Sequence, residues 1–433
     1  MLVQFSVKNF KTFKDKVVLS MVASNYDKTI LEDSNVIVKE NYSSRLLKSA
    51  VVYGANASGK TKLIDALAFM RWFVVNSSTK TQEGDQIDVD SFKLNTETEK
   101  APSEFELIFL IDECQYRYGF EADNFSIKSE WLYQKKLNLK PKEIELFYRE
   151  GLEIDFHKSF QKMKRVTKDA DDILRENALI LSLSNQFKVK EAKEILNFFK
   201  SIGFLLGNEP DRYEKFSLNE IFEETELGLN IIETIKRFDI GISDINVKEI
   251  KSSDGVRGSK EIQEKIEEII KKNDSILIDT ESVHRKFDSN YNFVANEVFG
   301  FADMESAGTQ KLLAILGPIF DSLSEGKTIF IDELDSRLHP NIVSHLIKLF
   351  NSKENNPKNA QLIFNTHNSN LLNENIFRRD QIWFCQKNRY GEASLFSLTE
   401  IKVRKEENFE EKYLEGRYGG VPFIEDITNL FNK

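Results

Sequence analysis

The chain has 433 residues, with 60 Lys and Arg against 70 Asp and Glu for a formal net charge of −10, and is 40% apolar and 30% charged. That length holds two domains, or one large α/β domain with insertions; the acidic balance argues against coating nucleic acid with the whole surface, though not against a local basic face. No apolar run approaches the ~20 residues of a membrane helix, and the two cysteines, Cys114 and Cys385, lack CxxC or metal-ligand spacing, so they read as buried thiols of a cytoplasmic chain.

Residues Leu2–Val7 and Val17–Val22 alternate like two strands joined through Lys14-Asp15-Lys16, a start without the layout of a signal peptide. The link Asn9-Phe10-Lys11-Thr12-Phe13 says little by itself. The apolar run Ser49–Tyr53 then leads into Gly54-Ala55-Asn56-Ala57-Ser58-Gly59-Lys60-Thr61 and a helical pattern to about Val75. Strand, glycine-rich turn and helix is the context in which a GxxxxGK[ST] match predicts a phosphate-binding loop. The glycines let successive backbone N–H groups point into one concavity, and the helix N-terminus adds partial positive charge. Lys60 is then expected to reach the β- and γ-phosphates of a nucleoside triphosphate, and the Thr61 hydroxyl to ligate Mg²⁺.

Residues 76–100 are polar and read as loop. After Pro102 the period becomes two. Phe105–Ile111, Gln115–Glu121, Ser126–Tyr133 and Glu143–Arg149 predict an antiparallel meander. The basic segment Lys158–Lys168 is either a solvated helix face or a phosphate-contacting patch. From Asp169 to about Arg285 the chain reads as mainly helical, with apolar spacing of three and four in Lys188–Ile202 and Ile262–Lys272. Loop signals sit at Gly207–Pro210 and Ser252–Gly258. No heptad run persists, so a long coiled-coil arm is not expected.

The last third returns to alternating strands and helices, which predicts a parallel sheet. Thr328–Ile331 ends in Asp332-Glu333, Gln361–Phe364 leads into Asn365-Thr366-His367, and Gln381–Cys385 is a third strand. Ligands bind outside the carboxyl ends of such strands, where Asp332, Glu333 and His367 fall. Asp332 suits the Mg²⁺ shell, Glu333 suits a general base on water in line with the γ-phosphate, and His367 could hydrogen-bond the γ-phosphate. An acidic helix cap would explain Asp332-Glu333 equally well without the P-loop. His157, His284, His339 and His345 share no metal spacing and read as surface or packing residues. Glu305-Ser306-Ala307-Gly308-Thr309-Gln310 opens another helix, where serine and glycine make either an anion site or a plain cap.

In that order, GANASGKT, ESAGTQKLL, IFIDELDSRLHP and IFNTHNSNLL resemble the motifs of the ABC-type ATPase head. With the start SVKNFKTF, the meander PSEFELIFL and YRYGFE, and the tail Tyr413–Pro422, the likeness runs over nearly the whole chain. It is closest to the SMC and RecF-like branch and, within it, to the short stand-alone RloA-like ATPases of bacterial defence and restriction islands. The resemblance implies an α/β ABC-type P-loop head with an antiparallel β subdomain and a helical insertion. The implied division is an ATPase lobe over 1–168, a mainly helical insertion over 169–285 and a second lobe over 286–433.

It further implies that ATP is held between two heads. Gly54, Ala55, Asn56, Ala57, Ser58, Gly59, Lys60 and Thr61 bind phosphates, and Ser306 and Gly308 of a second copy contact the γ-phosphate. Ala307 and Thr309 depart from the Gly and Gln of the family's LSGGQ. Asp335 falls at the family's dimer-facing turn. Gln186, in LILSLSNQF, is the candidate for the glutamine that completes the Mg²⁺ shell, and Lys11 for the basic residue of the start motif that approaches the nucleotide. The expected activity is ATP hydrolysis by a homodimer or higher homo-oligomer. Its expected role is as sensor or regulatory subunit of an antiphage or restriction system, with a separate effector protein such as a nuclease, in contact with DNA or a phage component and with no membrane partner. A RecF-like DNA-binding repair ATPase is the alternative, and a transporter ATPase subunit is a weaker third.

Overall fold

The computed structural model describes residues 1–137, 142–169, 173–207, 210–238, 241–249, 278–373, 375–402 and 407–422. The expected helix Ile262–Lys272 and loop Ser252–Gly258 lie outside these residues, as do Asn208 and Glu209 of the expected loop before Pro210. The chain divides into two compact units: Met1–Phe204 with Ser322–Asp335 and Val343–Lys433, and Leu205–Asp321 with Ser336–Ile342.

The strands in chain order are β1 (Leu2–Lys8), β2 (Val17–Ser20), β3 (Val36–Ile37), β4 (Leu46–Leu47), β5 (Ser49–Tyr53), β6 (Ser103–Ile111), β7 (Cys114–Ala122), β8 (Ile127–Lys136), β9 (Ile144–Glu150), β10 (Glu153–Phe156), β11 (Gly203–Leu205), β12 (Ile242–Glu249), β13 (Ile278–Phe287), β14 (Phe293–Gly300), β15 (Thr328–Ile331), β16 (Gln361–Asn365), β17 (Ile382–Lys387) and β18 (Ala393–Ser397). The first unit holds a seven-stranded antiparallel sheet in the order β10-β9-β8-β7-β6-β1-β2. The predicted meander is its core, extended at one side by the N-terminal hairpin. A six-stranded sheet runs β11-β15-β16-β5-β17-β18, with β15, β16, β5 and β17 mutually parallel and β18 antiparallel at the edge. β5, β15 and β16 are buried at every residue, as continuous apolar strands covered on both faces should be. Their carboxyl ends all open on one edge, which brings the loops after Tyr53, Ile331 and Asn365 together.

The helix Lys60–Asn76 joins the two sheets. Its Phe69 and Phe73 enter an aromatic cluster with Phe10 and the meander residues Phe105 and Phe120, with ring centroids 5.2–5.8 Å apart. The fully buried Glu130 and Arg149 tie the meander to the helix Ile180–Gln186. Glu130 accepts from the N–H groups of Ile180 (2.7 Å) and Leu181 (3.0 Å) and from the Tyr118 hydroxyl (2.9 Å). Arg149 donates to the carbonyls of Gly151 and Ala178, both at 2.6 Å. Polar residues predominate over 76–100, yet Ile87, Val89 and Phe92 are buried and anchor the segment.

The second unit departs from the expectation of a mainly helical stretch to Arg285. The helices Pro210–Phe222 and Glu226–Arg237 form, but β12, β13 and β14 build a three-stranded antiparallel sheet. The long helix Ala307–Glu325 contains Pro318. Proline supplies no N–H for the carbonyl four residues back, and the Ser217 hydroxyl donates to that carbonyl, Ala314 O, at 3.0 Å while accepting from Gly317 N–H at 3.1 Å. Among the described residues no helix is long and apolar enough to cross a membrane. Cys385 is buried as expected, while Cys114 is only half-buried. In the basic segment, Met163 is buried while Lys162, Lys164 and Arg165 face solvent.

Candidate functional site

The P-loop is built as its residue types require. Gly59 has φ +115°, a backbone that side chains rarely adopt, and a Cβ there would lie 3.0–3.2 Å from Thr12 Oγ1, Ala393 Cβ and Cys385 Sγ. A Cβ on Gly54 would lie 2.4 Å from the Cys385 carbonyl oxygen. Both glycines let the loop sit directly on β17. Cys385 donates its thiol to Ser58 O at 3.1 Å, and burial pushes that thiol up to about 11, so it acts as a neutral packing group. Lys60 is buried and donates to the carbonyls of Gly54 (2.6 Å) and Ala55 (3.1 Å). Burial lowers its pKa, opposed in part by Cys385, Glu333, Asp332 and Asp335.

The strand ends deliver the carboxylates to the same place. Thr61 Oγ1 donates to Asp332, 3.0 Å from Oδ1 and 3.3 Å from Oδ2. Glu333 stands at φ 49° with its N–H on Asn365 Oδ1 at 2.7 Å. Asn365 Nδ2 donates to Asp332 Oδ1. Asn365, buried at the end of β16, thus holds the Asp332 side chain with one end of its amide and the Glu333 backbone with the other. In the sequence Asn365 reads only as part of a strand end. Its one signal there is an amide that closes an apolar run two residues before the histidine. His367 is exposed as a residue and donates its backbone N–H to Asp335 Oδ2 at 3.2 Å. Partial burial first, and the Lys60 charge next, hold its imidazole below the ordinary 6.5, so it is neutral at pH 7.

Lys11 lies against the P-loop helix, its Nζ 3.0 Å from Asp65 Oδ2, which also bonds Lys62. Gln186 goes elsewhere. Its Nε2 donates to Ser78 O (3.1 Å) and Ser78 Oγ (2.8 Å), just past the far end of the helix that Lys60 and Thr61 begin. That helix has 17 residues, so about 25 Å at about 1.5 Å per residue separates Gln186 from Thr61. Gln186 is therefore not a ligand in this arrangement. Linear order brought it to the right helix but the wrong end.

The site keeps unused polar capacity. Among the described residues, Ser58 Oγ, Thr12 Oγ1, Asp335 Oδ1 and Asn368 Nδ2 are buried side-chain atoms without hydrogen-bond partners, all on loops around the P-loop and the β16 end. The Thr61 hydroxyl and Asp332 carboxylate are hard oxygen donors that fit Mg²⁺. No group of three or more His, Cys, Asp or Glu among the described residues could hold a metal. Such a pair suits an ion completed by substrate phosphate and water.

In the second unit, Ser306 Oγ accepts from Thr309 N–H at 3.2 Å, an N-terminal cap on the helix Ala307–Glu325. Gly308 presses on the chain after the Walker-type carboxylates: a Cβ there would lie 2.6 Å from Arg337 O. His284 Nε2 meets Glu305 Oε1 at 2.8 Å within the second unit.

A family model described as "AAA domain, putative AbiEii toxin, Type IV TA system" matches residues 49–373, a span from β5 and the P-loop through Asp332, Glu333 and His367. The chain belongs to this AAA family. No curated protein matches the chain. Among solved structures it is similar to the SMC head domain from Thermotoga maritima, at 12% identity over 93% of this chain and 99% of that one, TM-score 0.37. It is also similar to the recombination mediator RecF bound to ATP, at 14% identity over 91% and 97%, TM-score 0.31. A second RecF structure gives 12% identity over 92% and 98%, TM-score 0.29.

Proposed function

We propose that this AAA-family chain is an ABC-type ATPase whose P-loop binds Mg-ATP, whose Glu333 drives hydrolysis to ADP and phosphate, and whose heads pair on ATP. The observation that carries this reading is the Thr61–Asp332 contact at 3.0 Å beside the buried Lys60. Backbone N–H groups of residues 54–61 and the helix N-terminus bind the phosphates, and Lys60 leaves the Gly54 and Ala55 carbonyls for the β- and γ-oxygens. Thr61 and Asp332 would hold Mg²⁺, which neutralises phosphate charge when bound. Glu333 takes a proton from water as its oxygen bonds the γ-phosphorus and the bond to the β-bridging oxygen breaks. Asn365 keeps Asp332 and the Glu333 backbone in register, and neutral His367 donates to the γ-phosphoryl group. Ser306 and Gly308 act in trans on the nucleotide of a second copy.

Its proposed role is that of a sensor or regulatory subunit in an antiphage or restriction module, with a separate effector such as a nuclease. The family description, which names a toxin of a toxin–antitoxin system, supports a defence setting. The net charge of −10 weighs against a RecF-like DNA-binding repair ATPase. The test is the solution mass of Glu333→Gln with and without Mg-ATP. A shift from monomer to dimer is expected, and a constant monomer overturns the paired-head reading. ATP-dependent DNA binding that weakens steeply with salt would favour the repair alternative.

A further inference from the structure

The matched family region ends at residue 373, but the chain returns to the nucleotide site from outside it. The short helix Phe409–Leu414 is capped at its start by Asn408, which accepts from Glu411 N–H at 3.1 Å. At its end Gly416, at φ 78°, donates to Tyr413 O at 2.8 Å. Residues three apart share a helix face, and this face carries Glu410 and Tyr413. Glu410 accepts from Ser369 Oγ at 2.9 Å and from Asn373 Nδ2, both on the turn that follows His367. The Tyr413 ring packs 5.5 Å from both Tyr53 and Phe384. Its hydroxyl donates to Gly420 O at 3.2 Å. Gly419 and Gly420, at φ 71° and 70°, turn the tail back so that a Cβ on Gly420 would lie 3.6 Å from Gly54 Cα.

We propose that Glu410 and Tyr413 are positioning residues for the ATP site, Glu410 setting the switch turn that carries His367 and Tyr413, through Gly420, supporting the first residue of the P-loop. Gly54 is then held from two sides: Gly420, whose carbonyl accepts from Tyr413, lies against its Cα, and its own carbonyl is the closer acceptor of Lys60. The tail thereby links the loop that grips the phosphates to the loop that senses the terminal one. This inference rests on the ATPase reading above.

Tyr413→Phe keeps the ring packing and removes only the hydroxyl. It is expected to raise KM for ATP about 2–10-fold with kcat within about twofold, the range of one hydrogen bond. Glu410→Ala is expected to lower kcat by a similar factor at nearly unchanged KM, and Glu410→Gln, which keeps an acceptor for Ser369, to recover part of the loss. Because Glu410 acts through His367, Glu410→Ala should add nothing to kcat in a His367→Ala background. Fully additive losses, or variants that match wild type in both parameters, overturn the proposal while the ATPase reading stands. A wild-type protein that neither binds nor hydrolyses ATP overturns the ATPase reading itself, and this inference with it.

Discussion

Asn365→Asp changes one atom of the site and should disable it. The Asn365 side chain is 1% exposed, with Oδ1 on Glu333 N–H at 2.7 Å and Nδ2 on Asp332 Oδ1. An aspartate can still accept from Glu333, but its second oxygen faces the Asp332 carboxylate with no proton between them. Two unit charges about 4 Å apart repel by about 4 kcal/mol at an effective dielectric of about 20. The alternative, holding one carboxyl protonated at pH 7 against an ordinary value of about 3.9, also costs about 4 kcal/mol. The lost hydrogen bond to a charged group adds about 1.5–3 kcal/mol, and water at the half-buried Asp332 reduces the sum, so a net loss of about 3–5 kcal/mol is expected. Urea unfolding at pH 7 and at pH 5 reads it: the deficit against wild type should shrink at pH 5, where sharing a proton is easier. Mg-ATP hydrolysis should fall in parallel. A variant that unfolds within about 1 kcal/mol of wild type at pH 7 and hydrolyses ATP normally refutes the assigned role of Asn365.

Three further outcomes are expected. Ser217→Ala leaves the Ala314 carbonyl beside Pro318 without its donor and should destabilise the protein by about 1–3 kcal/mol, read by chemical denaturation; no loss would mean that the helix tolerates the proline unaided. Arg149→Met removes the guanidinium 3.8 Å from the equally buried Glu130 carboxylate and should cost about 3–5 kcal/mol, whereas a loss under about 1 kcal/mol would show that Glu130 does not need the pair. The folded-state pKa of His367 lies below its ordinary 6.5, so the unfolded chain binds the proton more readily. Its contribution therefore leaves stability unchanged above about pH 6.5 and lowers it as pH falls through that value, while kcat stays flat from pH 8 to about 6.5 and declines below. A kcat that instead rises on acidification would mean that the protonated ring is the working form.

The parts of the site that sequence reveals are those in which strand, turn and chemistry coincide. Gly54–Thr61, Asp332-Glu333 and His367 each close an apolar strand, and β5, β15 and β16 do lie side by side, so three local patterns converge on one sheet edge. The meander was legible from its period of two. Asn365 was not, because an amide carries no distinctive motif and its value lies in which two partners the fold brings to it. Gln186 failed for the converse reason: its neighbours in sequence fit a pattern, but Ser78 and Ser182 hold its helix to the far end of the P-loop helix. β12 and β13 escaped notice because ISDINVKE and IDTESVHRKF mix charge on both faces, leaving little alternation to read. The sequence marks Tyr413 only as the start of the tail Tyr413–Pro422, and nothing in it pairs Tyr413 with Gly420 or Glu410 with Ser369.

The central claim is that this site hydrolyses ATP with Glu333 as the base. Phosphate release and equilibrium nucleotide binding, measured together on wild type, Glu333→Gln and Lys60→Ala with Mg-ATP, test it directly. The account predicts hydrolysis by wild type, retained binding with hydrolysis slowed about 100-fold or more in Glu333→Gln, and lost binding in Lys60→Ala. Hydrolysis at the wild-type rate in both variants would contradict it.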